Sequence, residues 1–382
     1  MISPCPLHPQ RNKVNPFSCF TPIPNTESSS QSLAPLPEGC VEEFPFFYGK
    51  PQALKARVKS IFPFDVQLLT LLGKKPEKNY SFYNPSIIAS EEENQYFMAF
   101  READFNFCPN RGNLTPPYYS RIHFGISDNP RGPAKYCSTF TTKNSTNDLP
   151  NGPEDARFVY ITPPGSKTPV LHMTFIHERN IHLAQVHYNI TNQSCTAQVT
   201  NILDMWVNGT KKKSMQKNWM FIPYSTTPDG RPLFAYKVNP LKVLAVNMTS
   251  GEGTVVSSQP QLGCVPIIRG NTMFLQHPTK LNVFIGIVHE KESQRYNYYS
   301  RVITIEEFKP QQFQLIGVSD RFGFPEHNGD ICMHNTHFTS SMMYADETKE
   351  SVIIGMGYMD CTPHSVKVKT SDLLSSVKPP SC

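Results

Sequence analysis

The sequence predicts an all-β fold, a five-bladed β-propeller, and three observations point there. Short runs rich in β-branched and aromatic residues recur along the chain, separated by Gly, Pro, Asn and Asp. The runs fall into sets of about four, and the sets start roughly 50–70 residues apart, longer than common propeller repeats but of that kind. Helical periodicity is nearly absent, and 35 prolines and 20 glycines leave little room for long helices.

The first set takes Asn84 to Ile88, Tyr96 to Arg101, Arg121 to Asp128 and Lys135 to Thr142. The second takes Glu154 to Tyr160, Val170 to Glu178, Ile181 to Tyr188 and Cys195 to Ile202. The third takes Lys217 to Ile222, Leu233 to Val238, Lys242 to Met248 and Gly253 to Ser258. The fourth takes Val265 to Phe274, Val283 to Glu290, Tyr298 to Ile305 and Phe313 to Val318. The fifth takes Asp330 to Tyr344, Val352 to Asp360 and Ser365 to Lys369, and has no clear fourth run. A segment from the front of the chain, Phe64 to Leu71, is expected to supply it and close the ring. Residues 1–45, rich in Pro, Ser and Asn and without period, read as a flexible stem, and 46–382 as the propeller. An irregular β-sandwich is the alternative arrangement of the same runs.

Composition narrows the function classes. With 38% hydrophobic and 18% charged residues the chain is not of the disordered type. No apolar run is long enough to span a bilayer as a helix. The net charge of +5 is spread out, and only Lys211, Lys212 and Lys213 cluster, too little for a nucleic-acid surface. There is no CxxC and no Cys/His set with zinc spacing, so neither a structural metal nor a cofactor is expected. GxxxxGK[ST], GxSxG, HExxH and Asp-x-Asp are also absent, which sets aside kinase-like, esterase, zinc-protease and common metal-dependent nucleotide-sugar transferase readings.

Ten cysteines and seven N-x-S/T sequons, against about four expected by chance, suggest a secretory-pathway (Golgi) lumen or extracellular protein. The sequons begin at Asn79, Asn113, Asn144, Asn189, Asn192, Asn208 and Asn247. The first six residues, Met1 to Pro6, carry no apolar signal-peptide core. Either an anchor lies upstream or the compartment is another one.

In a propeller the inner strands converge on a central channel, so polar residues at matching strand positions in different sets meet in space. The second runs end in Arg101-Glu102, His177-Glu178-Arg179, Lys237, His289-Glu290 and Asp360. The first runs open with Asn84, Glu154-Asp155-Ala156-Arg157, Lys217-Asn218-Trp219 and Arg269-Gly270. Cations beside a few carboxylates suit a sugar flanked by an anionic group such as phosphate. One carboxylic acid could protonate a glycosidic oxygen. Trp219 and neighbouring tyrosines would offer rings for a sugar face. Glu178 or Glu290 could serve as the base that a hydrolase needs, and Arg157 could simply brace Glu154.

At these residues the chain resembles glycoside hydrolase family 130, which contains β-mannoside phosphorylases and some β-mannosidases, and the related β-1,2-mannosyltransferases. The matching motifs are Asn84-Pro85-Ser86, Ala99-Phe100-Arg101, Gly152-Pro153-Glu154-Asp155-Ala156-Arg157, Lys217-Asn218-Trp219, Arg269-Gly270, Val288-His289 and Gly357-Tyr358-Met359-Asp360. They occur in family order over about 300 residues, with Ala156 where the family usually has proline. The resemblance implies a five-bladed fold and Asp155 as the general acid, acting in the phosphorylases through a mannose hydroxyl. It further implies that Asn84, Arg101 and Asp360 hold the sugar. Lys217 and His289, and more weakly Arg179 and Tyr296, would bind phosphate or the phosphates of a sugar donor. The expected partners are thus a mannose-containing substrate and phosphate or a sugar-phosphate donor. A β-mannosidase, a carbohydrate-binding propeller without catalysis and a protein-interaction propeller stay as alternatives.

Overall fold

The computed structural model describes residues 65–77, 80–91, 95–103, 119–142, 152–191, 194–209, 217–291, 298–324, 337–358 and 362–380. The expected stem at 1–45, the site candidates Tyr296 and Asp360, and the sequons at Asn79, Asn113, Asn144 and Asn192 lie outside them.

The described residues form five sheets arranged as a five-bladed β-propeller. The chain enters on β1 (Asp65–Leu68) and β2 (Leu71–Leu72). Blade 1 follows as β3 (Ser81–Ala89), β4 (Tyr96–Ala103), β5 (Ser120–Ser127) and β6 (Ala134–Phe140). Blade 2 is β7 (Glu154–Ile161), β8 (Val170–His177), β9 (Asn180–Ile190) and β10 (Cys195–Asp204), with β11 (Trp206–Val207) leading onward. Blade 3 is β12 (Met220–Thr226), β13 (Pro232–Val238), β14 (Leu241–Val246) and β15 (Glu252–Ser258). Blade 4 has a split inner strand, β16 (Arg269–Gly270) and β17 (Leu275–Gln276), then β18 (Val283–Lys291), β19 (Tyr298–Lys309) and β20 (Gln312–Ser319). Blade 5 is β21 (His337–Tyr344), β22 (Ser351–Tyr358) and β23 (Thr362–Lys369).

The missing fourth strand of blade 5 is β1, which pairs antiparallel with β23 from Asp65↔Lys367 to Leu68↔His364. The front of the chain therefore closes the ring, as the incomplete fifth set required. After a short helix, α1 (Thr370–Ser375), comes β24 (Val377–Lys378), which adds to the edge of blade 4 at Val318↔Lys378.

Alternating apolar residues on these strands bury both faces of each blade, because every blade is covered by a neighbour on either side. The core accordingly divides into five apolar clusters, one in each wedge between adjacent blades. The wedge between blades 1 and 2 is also joined covalently: a disulfide links Cys137 on β6 to Cys195 on β10. Cys264 is disulfide-bonded as well. Next to the first bridge, Ser138 Oγ donates to the Ala197 carbonyl over 2.7 Å and accepts from the Ala197 amide.

Candidate active site

Two bulges build the site. The β3–β4 pairing slips between Tyr83 and Ser86, and the β7–β8 pairing slips between Glu154 and Arg157. The displaced residues, Asn84 and Asp155, have left-handed backbones, with φ of 46° and 50°. A bulge turns a side chain out of the alternating pleat and re-aims it. Positive φ is uncommon for residues other than glycine, and such conformations cluster at functional sites. Asn218, just before β12, repeats the left-handed geometry in blade 3 with φ 64°. All three stand where inner strands begin, and there the second strands of the same blades end.

At that end the side chains meet. Asn84 Nδ2 donates to Asp155 Oδ1 over 2.9 Å, and Arg101 Nη1 reaches the same oxygen at 2.9 Å. The Arg101 Nη2 lies 3.3 Å from Glu154 Oε2, and Lys217 Nζ lies 4.0 Å from that oxygen. Arg101 is fixed from behind, since its Nε donates to Ser120 Oγ, which in turn donates to the Pro153 carbonyl. Three blades thus supply one cluster, with Asn84 and Arg101 from blade 1, Glu154 and Asp155 from blade 2, and Lys217 from blade 3.

Burial alone would raise the pKa of Asp155. The positive charges of Arg101 and Arg157, the Asn84 hydrogen bond and Lys217 together outweigh it, so the carboxyl is held below its ordinary value. Arg157 itself is almost wholly buried, and burial brings its guanidinium down to about 10, with Asp155 opposing.

Arg157 does not brace Glu154 as expected. Its Nη2 donates to Asn218 Oδ1 over 2.8 Å, its guanidinium lies over the Phe338 ring at 5.6 Å, and its Nε has no hydrogen-bond partner among the described residues. Phe338 of blade 5 also meets His289 of blade 4, ring to ring at 5.9 Å. His289 is buried, with Nδ1 hydrogen-bonded to the Asn271 Oδ1, and Asn271 Nδ2 donates to Thr339 Oγ1. Contacts therefore run from blade to blade around the channel end.

Other sequence-selected residues stand elsewhere. Trp219 is fully buried between Phe234 and Tyr236 and has no face for a sugar. The expectation fails because the chain leading into β12 turns its ring into the wedge between blades 2 and 3. Glu290 is no free base: Arg301 reaches it at 3.0 Å and Arg321 grips its other oxygen. Arg179 lies with Glu178 on a two-residue hairpin turn, with φ of 67° and 48°, and its side chain is exposed. Such doubly left-handed turns ordinarily take Asn and Gly.

No protein-family model and no curated protein matches the chain. Solved structures do resemble it. The β-1,2-mannobiose phosphorylase of Listeria innocua superposes with a TM-score of 0.51 at 12% identity, over 82% of this chain and 99% of that one. A glycosyl hydrolase of Bacteroides ovatus gives a TM-score of 0.50 at 13% identity, over 78% and 85%. A mannose phosphorylase of Leishmania mexicana gives 0.46 at 10% identity, over 86% and 95%. The first two share this chain's propeller fold.

Proposed function

We propose that this protein is a carbohydrate-active enzyme that makes or breaks a β-mannosidic bond, with phosphate or a phosphorylated sugar as the second substrate. The observation that carries this reading is the placement of Asp155, a mostly buried carboxylate, its side chain 14% exposed, at the channel end and held by Asn84 and Arg101. A carboxylate–guanidinium pair with further polar groups around it matches the bidentate hydrogen-bonding needs of a sugar. Among the described residues Arg101, Arg157 and Lys217 stand against Glu154 and Asp155, and this surplus of positive charge favours an anionic co-substrate. The motif resemblance and the fold shared with a mannobiose phosphorylase support mannose as the sugar.

In this reading Asp155 is the general acid. A sugar hydroxyl that enters between Asp155 and Arg101 displaces the guanidinium from Oδ1. Burial then dominates, the carboxyl pKa rises, and Asp155 takes up the proton that it delivers to the leaving oxygen. The anomeric carbon exchanges its bond to the glycosidic oxygen for one to phosphate, which needs cations nearby but no base. Incubation with mannose 1-phosphate or GDP-mannose and mannose acceptors, with products read by mass spectrometry, tests the reading. No transfer product and no phosphorolysis would count against it.

A second reading, sugar binding without catalysis, is favoured by the same ion pairing if Asp155 stays charged in the complex. Calorimetric binding of mannosides without turnover would select it.

We further place the protein in an oxidising lumen. The Cys137–Cys195 bridge and the exposed sequons at Asn189, Asn208 and Asn247 support this. Mass spectrometry of protein expressed through a eukaryotic secretory route, finding reduced cysteines and bare sequons, would overturn it.

A further inference from the structure

Asn84 is seated against blade 5. A Cβ on Gly357 would lie 1.9 Å from Asn84 Oδ1, 3.0 Å from its Cγ and 2.8 Å from its backbone nitrogen. Two residues earlier on β22, and so on the same face, a Cβ on Gly355 would lie 2.2 Å from the Pro85 carbonyl oxygen. Neither glycine has a positive φ, so the backbone conformation does not call for them. Space does, because real Cβ atoms essentially never approach closer than 3.0 Å.

The surroundings make this contact decisive for where the Asn84 amide points. Its Oδ1 is buried and accepts no hydrogen bond among the described residues, while Nδ2 is spent on Asp155. The next residue is clamped to blade 5, with Ser340 Oγ donating to the Pro85 carbonyl over 2.7 Å and Ser341 Oγ over 3.1 Å. The carboxamide is therefore bounded by Gly357 on its oxygen side and by Asp155 on its nitrogen side. We propose that Gly357 is a positioning residue, whose bare Cα is the wall that seats the Asn84 carboxamide and turns its Nδ2 onto the Asp155 carboxylate. Blade 5, which supplies no carboxylate or cation to the cluster among the described residues, thereby sets the geometry of a group on blade 2. The inference deepens the reading above and rests on Asn84 and Asp155 belonging to the working site.

A double-mutant cycle on the full chain tests it with two readouts. The first is the ¹³C resonance of the Asp155 carboxyl at pH 7, assigned with Asp155→Asn. Among the described residues, the charged groups around that carboxyl are Arg101 on β4, Glu154 and Arg157 on its own strand, and Lys217 ahead of β12. None of them is touched by Asn84→Ala or Gly357→Ala. Both variants should move the resonance in the same direction, and the double variant should move it no further than Asn84→Ala alone. The second readout is turnover, or mannoside binding, where Gly357→Ala should cost the same factor as Asn84→Ala, again without addition in the double. A resonance unmoved by Gly357→Ala, or shifts that add in the double, would overturn the proposal. If Gly357→Ala alone does not fold, Asn84→Gly/Gly357→Ala should, since the 1.9 Å clash with the carboxamide oxygen is gone and a glycine at 84, already at positive φ, lets the backbone nitrogen yield from the remaining 2.8 Å approach. Failure of that double would mean Gly357 serves only the fold, which also overturns it. A wild-type protein without mannoside activity would sink the functional reading, while the resonance still decides the role of Gly357.

Discussion

Asn84 and Asp155 occupy equivalent places in neighbouring blades, each the left-handed residue of a bulge at the head of an inner strand, and the Asn84 amide donates to the Asp155 carboxylate over 2.9 Å. Repeating one local irregularity in adjacent blades is an economical way to gather polar groups, since neighbouring inner strands then turn their side chains toward each other. Ser86, two residues after Asn84, accepts the Phe158 amide over 2.9 Å and fixes the two bulges in a common register. The site is thus made by blade seams, and anything that loosens a seam should reach it.

The disulfide between blades 1 and 2 gives one such test. It closes a span of 58 residues. By loop-closure entropy such a bridge contributes about 4 kcal/mol. Cys137→Ser/Cys195→Ser should melt well below the wild type, and the wild type under reductant, which also loses the Cys264 bridge, should melt at least as low. Melting temperatures equal to the oxidised wild type would show that the apolar wedge and the Ser138–Ala197 hydrogen bonds hold the blades unaided.

Much of this architecture was legible in the sequence. The sets of runs gave the blades, and the incomplete fifth set pointed to closure by the front of the chain, because a fifth blade matched to the others needs a fourth strand. The positions of Asn84, Arg101, Asp155 and Lys217 followed from register, as strand order forces matching ends together. What register cannot give is the face on which a residue falls. Trp219 reads as a channel ring beside Lys217, yet the chain leading into β12 turns it into the core. Asn218, one position away and in the same motif, holds Arg157, a role that neither the motif nor its preference for left-handed backbone assigns. The seat at Gly357 depends on close approach between the first and last blades, which no local pattern carries.

Buried histidines make the fold acid-sensitive. His337 heads β21, is buried, and has no hydrogen bond at either ring nitrogen among the described residues. It packs against Tyr358 and Phe324, and burial, with His364 nearby, lowers its pKa to about 4. A folded-state pKa below the ordinary 6.5 means that the unfolded chain binds the proton more readily below that pH. Stability is then full above about 6.5 and falls toward about 4, by an amount on the order of 3 kcal/mol. His337→Leu should leave the melting temperature at pH 7.5 unchanged or raised, and should flatten its fall toward pH 5. An acid limb as steep as that of the wild type would refute this assignment.

Lys217 and His289 are set apart by burial. The Lys217 side chain is 32% exposed, so Lys217→Ala should leave melting nearly unchanged. His289 is buried against Phe338 and Asn271, so His289→Ala should lower the melting temperature. If Lys217 faces the anionic co-substrate, its loss removes a charge-assisted contact of about 1.5–3 kcal/mol. Calorimetry with inorganic phosphate should then show binding about 10- to 100-fold weaker. Binding of mannose alone should hardly change. Equal loss of phosphate and mannose binding would mean that Lys217 serves the cluster through Glu154.

Asp155 carries the sharpest expectation. Without ligand its carboxyl is held below the ordinary carboxylate range, so it is charged at neutral pH. An acid must nevertheless hold a proton when the glycosidic oxygen leaves. If the sugar displaces Arg101, binding is accompanied by proton uptake at this one carboxyl. Calorimetry of mannoside binding in buffers of different ionisation enthalpy measures that uptake, and Asp155→Asn should abolish it. The same variant keeps size and can still donate a hydrogen bond, but cannot transfer a proton. It should fold, bind mannosides and lose turnover by about 10²–10⁴-fold. Mannosides with a good leaving group should lose less, since they need less protonation. If Asp155 only braces Arg101, the pattern reverses, with a lower melting temperature, turnover per folded molecule nearly intact and no change in proton uptake. Melting, turnover and buffer-dependent calorimetry on one preparation separate the acid from the brace.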